Sequence, residues 1–303
     1  MNWRKLGRIY KPSERREWAQ SHASVPIADH RSDDIFRIIY TSRDAQNRSH
    51  VGWFEIDLGD PMSILDESDT PLLAPGKPGA FDMDGVMASA LVAREDEKRL
   101  YYIGWNRAVG IPFRNSIGLA VQSGDTDRFE RYADGPVLDR SPADPYFMAS
   151  HDVFVEGNSW HIWYLSGLDW LPGDPPQSTY NLRYAVSENG IDWHRSGTVA
   201  VDFEHKNEIA IARPCVRQDS DKWRMWYCYR GSDFAYRVGY AESEDAVRWR
   251  RRDDKAGIGV SEDGWDSEMI CYPYVFDHKG ARYMLYNGNG YGASGIGLAV
   301  LEA

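Results

Sequence analysis

Cysteine is scarce in this chain: Cys215, Cys228 and Cys271 are the only three in 303 residues, far apart and without a CxxC pair. That excludes a disulfide framework and a zinc site of the usual spacing. Long apolar runs are lacking too. No stretch approaches the roughly 18 apolar residues of a membrane-spanning helix, and the opening MNWRKLGRIYKPSERREW has no apolar core of signal-peptide length. The expectation is a soluble, cytoplasmic protein with no membrane partner. Positive charge is also short. The net charge is −11, and the longest basic cluster is RWRRR at Arg248–Arg252. Nucleic acid demands a concentrated positive footprint and is excluded as a partner, so the cluster reads as a solvated strand edge. Helix signals are nearly absent. Pro and Gly punctuate at strand-length intervals, and period-2 patterns dominate.

Aromatics and repetition are what the chain has. It holds 12 Trp, 18 Tyr and 10 Phe, which suits many half-buried strands or a ring-stacking ligand site. Five segments align: HASVPI (22–27), MASALV (87–92), MASHDV (148–153), IARPCV (211–216) and ICYPYV (270–275). Each carries a small residue in second place (Ala23, Ala88, Ala149, Ala212, Cys271) and an aliphatic in sixth. An aromatic-rich strand follows each one: FRIIYTSRD, LYYIGWN, WHIWYLSG, WRMWYCYRG and YMLYNGNG. A third strand comes next, with a central dipeptide starting at 51, 117, 182, 238 and 296, a period of 56 to 66 residues. Edge-like fourth strands close the later units at FERY (129–132), DWHR (192–195) and RWRRR (248–252).

The fifth unit lacks its fourth strand, while Trp3-Arg4-Lys5-Leu6 near the start has the same Trp-basic-basic look. Completing the last sheet with an N-terminal strand is how a β-propeller closes its ring. The expected fold is therefore all-β: a single five-bladed propeller domain over residues 1–303, with blades near 11–66, 67–138, 139–200, 201–255 and 256–303. An open β-sandwich is the alternative.

In such a fold the starts of first strands and the ends of second strands share one rim. That gathers His22, Asp84, Asp144, Glu208, Asp266 and Glu268 with Arg43, Trp105, Asn106, Arg230 and Asn287. The stretch NEIAIARPCV (207–216) poses the question most sharply, because a buried strand carries both Glu208 and Arg213. Buried charges are costly unless paired or used. A structural ion pair between the two is one answer. Acids recur at the equivalent place in four of the five units, however, whereas the Arg213 column otherwise holds Ser24, Ser89, Ser150 and Tyr272. Converging carboxylates with arginine and aromatics look more like a sugar site. His151 and Asp152 are neighbours in a strand and face opposite ways, so no metal is expected of them. The string YNGNGYG has no helix after it and makes no phosphate cradle, so no cofactor is expected.

With these repeats and an acidic funnel, the chain resembles the five-bladed glycoside hydrolase superfamily: the arabinanase-like families 43 and 62, the invertase-like families 32 and 68, and the family 130 mannoside phosphorylases. The strings SHASVP, DGVMAS, YIGWN, IARPCV, YRG, DSEMICYPY and YNGNG also look like uncharacterised propellers encoded with bacterial surface-polysaccharide genes. The resemblance implies a carbohydrate-active enzyme that cleaves or phosphorolyses a glycosidic bond. Asp84 matches the second-blade Asp of family 43, and Glu208 matches its acid, with Glu268 close behind. His22 stands where the first-blade acid is expected. In that reading Glu208 or Glu268 donates a proton and Asp84 activates water or orients the acceptor. Arg43, Arg213 and Arg230 hold an anionic group. Tyr272 and Trp105 shape the sugar subsite, with His22, Asn106, His151, Asp266 and Asn287 as further contacts. The expected partner is a carbohydrate or sugar-phosphate. The alternatives are a glycan-binding propeller without catalysis, or a transferase or cyclising enzyme acting on a phosphorylated or nucleotide-linked substrate. No motif fixes an oligomeric state.

Overall fold

Alternating apolar and polar residues, rich in β-branched and aromatic side chains, drive almost the whole chain into short strands. The computed structural model describes residues 1–302 apart from 13–15, 95 and 125–127. Antiparallel pairing arranges its strands in five sets. The first holds β2 (Ser21–Ser32), β3 (Ile35–Arg43), β4 (Ser49–Asp57) and β5 (Asp60–Glu67), after β1 (Trp3–Tyr10) at the head of the chain. The second holds β6 (Gly85–Ala93), β7 (Glu97–Asn106), β8 (Arg114–Ser123) and β9 (Glu130–Arg131). The third is β10 (Met148–Glu156), β11 (Ser159–Leu171), β12 (Gln177–Ser187) and β13 (Val199–Val201). The fourth is β14 (Glu208–Gln218), β15 (Trp223–Gly231), β16 (Arg237–Ser243) and β17 (Arg250–Arg251). The last comprises β18 (Cys271–His278), β19 (Ala281–Asn287) and β20 (Ile296–Leu301), and β1 pairs antiparallel with β20 as its outer strand. Two single parallel bridges, Ser49 to Gly85 and Tyr180 to Ala210, join the first set to the second and the third to the fourth.

Two outer strands depart from the sequence expectation. In the third set DWHR supplies only a bridge from His194 to Val186, and β13 pairs with β12 instead. The first set gains β5, a strand that the repeat pattern does not signal.

The small residues of the third strands have a packing reason. Tyr40, Tyr102, Tyr227 and Tyr286 on the second strands pair with Gly52, Gly118, Gly239 and Gly297. A Cβ on Gly118 would stand 2.3 Å from the Tyr102 ring, and one on Gly239 at the same distance from Tyr227. Gly118 and Gly239 are the room into which the Tyr102 and Tyr227 rings fold, whereas the space at Gly52 is taken by Trp18 and that at Gly297 by Trp265 and Tyr286. In the third set Tyr164 faces Arg183 instead.

The first strands lie side by side in one order: β2 beside β6, β6 beside β10, β10 beside β14, β14 beside β18, and β18 beside β2. Each is broken by a register shift at the Ser24, Ser89, Ser150, Arg213 or Tyr272 column. A bulge frees backbone N–H groups from the ladder, and buried N–H groups need partners. Neighbouring sets supply them through side chains. Thr41 Oγ1 accepts from Ala88 N at 3.1 Å and Ser89 Oγ from His151 N at 2.8 Å. Ser150 Oγ accepts from Arg213 N at 2.8 Å, Cys215 Sγ from Val275 N at 3.1 Å, and Asn287 Oδ1 from Val25 N at 3.0 Å. Cys215, Cys228 and Cys271 are buried, free thiols in this packing.

Candidate functional site

Several acids near the strand starts have partners that repeat, although in the second set the acid is Asp82 and not the Asp84 of the sequence reading. Asp82 accepts from Tyr102 at 3.1 Å and from Arg131 of β9 at 2.8 Å. Asp144 accepts from Tyr164 at 3.1 Å and Arg195 at 3.2 Å, and Asp266 accepts from Tyr286 at 3.2 Å and Lys5 of β1 at 2.6 Å. In the fourth set Asp253 takes the Tyr227 hydroxyl at 2.5 Å, while Arg251 of β17 forks across Glu208 at 2.7 and 2.8 Å. Asp82 and Asp266 join a tyrosine of the second strand to a base on the outer strand, Asp144 joins one to Arg195 of the DWHR segment, and Glu208 ties the first strand β14 to β17. In the second, third and fifth sets the basic partner absent from the Arg213 column thus comes from Arg131, Arg195 and Lys5.

Two expected site residues change role accordingly. Asp266 is 2 % exposed and committed to Lys5 and Tyr286, so it is not a substrate contact. Glu208 is 4 % exposed. Burial alone would raise its carboxyl, but the bonds from Arg251 and from the backbone N–H of Glu204 outweigh that and hold it below the ordinary range. A carboxylate held ionised in this way is a poor proton donor.

Arg213 is fully buried, and it answers the question posed by NEIAIARPCV without Glu208. Its guanidinium donates to the carbonyl oxygen of Ser89, to that of His151 at 3.2 Å and to that of Pro26 at 3.1 Å. Its charge also lies 5.7 Å from the centre of the Tyr274 ring. One side chain from β14 therefore ties to first strands of the first, second and third sets and touches the fifth. It belongs to the interior rather than to a ligand. His151 is likewise enclosed, with Nδ1 2.9 Å from the Ala149 carbonyl oxygen, and burial drives its pKa down to about 3. Asn287 bonds the carbonyl oxygens of Ala23 at 2.6 Å and Gly295 at 3.0 Å. In all three the bonded polar atoms serve the backbone, unlike the expected ligand contacts, while Arg213 Nε and His151 Nε2 have no hydrogen-bond partner among the described residues.

Above Arg213 lies a cavity of about 220 Å³ lined by residues of all five sets. Val25, Ser150, Ala212 and Tyr272 come from the bulged first strands, with Met87 and Ala149 beside them. Ile103 and Leu165 come from second strands, and Phe113, Asn115, Phe147, Tyr180 and Tyr236 from the rim. Val25 and Tyr272 hold left-handed backbone, with φ of 52° and 53°. For a β-branched residue such as Val25 that is a costly conformation, of the kind found where a surrounding structure fixes a site. Among the described residues no carboxylate lines this cavity.

The remaining candidates lie at strand ends outside the lining of this cavity. Arg43 donates to Asn47 Oδ1 at 3.1 Å, and burial lowers its pKa, opposed by the Tyr272 hydroxyl. His22 feels burial first and the Arg43 charge second, and its pKa falls to about 4, so it is neutral at pH 7. Arg230 lies 6.0 Å from the Tyr180 ring centre and 5.7 Å from that of Tyr236, whose hydroxyls meet at 2.5 Å. Among the described residues neither Arg43 nor Arg230 has a carboxylate within ion-pair distance. Trp105 is anchored through Nε1 to Ser49 Oγ at 2.7 Å, and Asn106 is half-buried beside it. Asp84 accepts from the Arg107 backbone N–H at 2.7 Å. Glu268 is exposed and makes no ion pair among the described residues.

The sequence reading missed most of the cavity wall. Trp170, on the extended β11–β12 hairpin, packs on Phe113 at 5.2 Å and on Phe147 at 5.5 Å, and Phe147 in turn meets Tyr180 at 6.1 Å. The length of β11 and β12, at 13 and 11 residues, was the available signal that this hairpin projects beyond its counterparts.

No protein-family model matches the chain. Solved structures of similar fold include a glycoside hydrolase with a TM-score of 0.78 at 18% identity, covering 99% of this chain and 92% of that one. BT0996 in an RGII complex gives a TM-score of 0.77 at 18% identity with the same coverage, and a thermostable family-43 glycoside hydrolase 0.67 at 15%, covering 97% and 93%. In fold the chain is therefore similar to these glycoside hydrolases. In sequence it is 43% identical over 302 residues, the full length of both chains, to uncharacterized protein MT1551 of Mycobacterium tuberculosis (strain CDC 1551 / Oshkosh) and to uncharacterized protein Rv1502 of strain ATCC 25618 / H37Rv. It belongs to the family of those two proteins.

Proposed function

We propose that this protein is a carbohydrate-active enzyme of glycosidase type, built over residues 1–303 as a single five-bladed propeller closed by β1, with its site at the central funnel. The side-by-side order of β2, β6, β10, β14 and β18, and the pairing of β1 with β20, support the propeller. The observation that carries the site is the cavity lined by all five sets, with Asp84 and Glu268 just ahead of the first strands β6 and β18. With Glu208 locked to Arg251, the acid–base pair of this reading is Glu268 as proton donor and Asp84 as base or acceptor-orienting group. A sugar bearing an anionic group, a sugar-phosphate included, is the partner it expects.

The test is a panel of nitrophenyl glycosides and surface-type oligosaccharides, with and without inorganic phosphate, against wild type, Asp84→Asn and Glu268→Gln. Loss of turnover by about a hundredfold or more in both variants, the scale of acid–base groups, supports the assignment, and dependence on phosphate selects phosphorolysis over hydrolysis. One observation favours a second reading, recognition without cleavage: the described cavity walls carry no carboxylate. Saturable sugar binding by folded protein that turns over nothing would decide for it.

A further inference from the structure

The cavity is unlike a pocket built for a bare sugar. Apart from Asn115, Ser150 and three tyrosines, its walls are hydrocarbon or aromatic ring. Much of that small polar set is already engaged. Ser150 Oγ accepts from Arg213 N at 2.8 Å, and the Tyr180 and Tyr236 hydroxyls bond each other at 2.5 Å. Asn115 and the Tyr272 hydroxyl remain. A hexose presents several hydroxyls, and burying them here leaves most without partners, which costs affinity. The deep part of this site accepts carbon.

The mouth has the opposite character. Arg230 leans over Tyr180 and Tyr236, both cavity walls, with its Nε buried and unpartnered. Arg43 ends β3 and pairs with Ser21 at the start of β2, the strand that supplies Val25 to the cavity. Unlike Arg213, which serves carbonyl oxygens, many arginines elsewhere in the chain are paired with carboxylates, as Arg131 is with Asp82 and Arg251 with Glu208. These two are not, among the described residues, and a planar guanidinium without a carboxylate is suited to an incoming phosphate or carboxylate.

We infer that the funnel takes an amphiphilic anion: a glycoside with an apolar substituent seated in the cavity and an anionic group, phosphate or carboxylate, held at its mouth by Arg43 and Arg230. The inference rests on the carbohydrate reading and narrows its substrate class.

The experiment titrates the intact protein with four probes: phenyl β-D-glucuronide, methyl β-D-glucuronide, phenyl β-D-glucoside and phenyl phosphate. The first carries both halves of the predicted ligand, the next two lack one half each, and the fourth supplies phosphate without a sugar. Phenyl glucuronide is expected to bind at least about tenfold more tightly than either half-probe, the equivalent of one good charged or apolar contact. Arg230→Gln and Arg43→Gln should erase the preference for the anion and leave the preference for phenyl. Ala212→Leu, which fills the cavity, should do the reverse, and Ala149→Val serves if the leucine variant fails to fold. Equal binding of phenyl glucoside and phenyl glucuronide by wild type overturns this inference and leaves the carbohydrate reading standing, as does equal binding of the methyl and phenyl glucuronides. Tight binding of phenyl phosphate alone, with no sugar bound, sinks the carbohydrate reading and with it the glycoside of this inference.

Discussion

Arg213 is the residue whose replacement most directly probes how the five sets are held. In Arg213→Met the side chain keeps much of its volume and loses all its donors. Two carbonyl oxygens, those of Ser89 and Pro26, lose a charged partner, while that of His151 keeps the Ser89 hydroxyl at 2.8 Å. Hydrogen bonds to a charged group contribute about 1.5–3 kcal/mol each, so the two losses amount to roughly 3–6 kcal/mol. Relief from burying a positive charge works the other way, since removing an enclosed charge recovers desolvation energy. With both included, a net destabilisation of about 3 kcal/mol is expected. Arg213→Lys keeps the charge but cannot fork between carbonyls on opposite sides, so it should recover less than half of the loss. Urea unfolding of the three proteins, with the slopes compared to confirm that the same surface is exposed, measures both quantities. If Arg213→Met proved as stable as wild type within about 0.5 kcal/mol, the ordinary range for an unimportant site, the view of Arg213 as a cross-set tie would be wrong.

Two further perturbations test the same architecture. Glu208 is held below its ordinary pKa by Arg251, so its contribution is present above the unfolded-state pKa of about 4.3 and is lost as pH falls through the lower folded value. Acid unfolding followed by tryptophan fluorescence should therefore lose part of its pH dependence in Glu208→Gln. That variant should also be less stable at pH 7 by about 3–5 kcal/mol, the cost of breaking a buried pair from one side. Asn287 bridges β19 to β2 through Ala23 and Val25, so Asn287→Ala should cost about 2–3 kcal/mol by leaving a buried N–H and a buried C=O without partners. Hydrogen exchange should then rise first at Val25, and uniform exchange across the chain would argue against a seam at that place.

The repeat was legible because it is written in local chemistry. Period-2 patterning, a small residue in second place and, in four of the five sets, a glycine opposite a buried tyrosine are demands that one strand makes on its neighbour, so Gly118 and Gly239 recur with the unit. The outer strands were less legible. β13 spans three residues, Val199–Val201, and so short a segment has almost no pattern of its own. The cavity-wall residue Phe113 escaped notice for a related reason: it sits in a loop, where no periodicity marks a residue as facing inward.

What the sequence determined by itself was the all-β character and the repeating strand sets. It could not determine which acids were free. Asp266 and Glu268 are two residues apart on one rim, yet one is bonded to Lys5, 261 residues away, and the other faces solvent. The same holds for Arg213, whose acceptors at Ser89 and Pro26 lie 124 and 187 residues away. Whether a charge is a rivet or a ligand contact depends on its desolvation and on the partner beside it, and both are fixed only when strands distant in the chain come together.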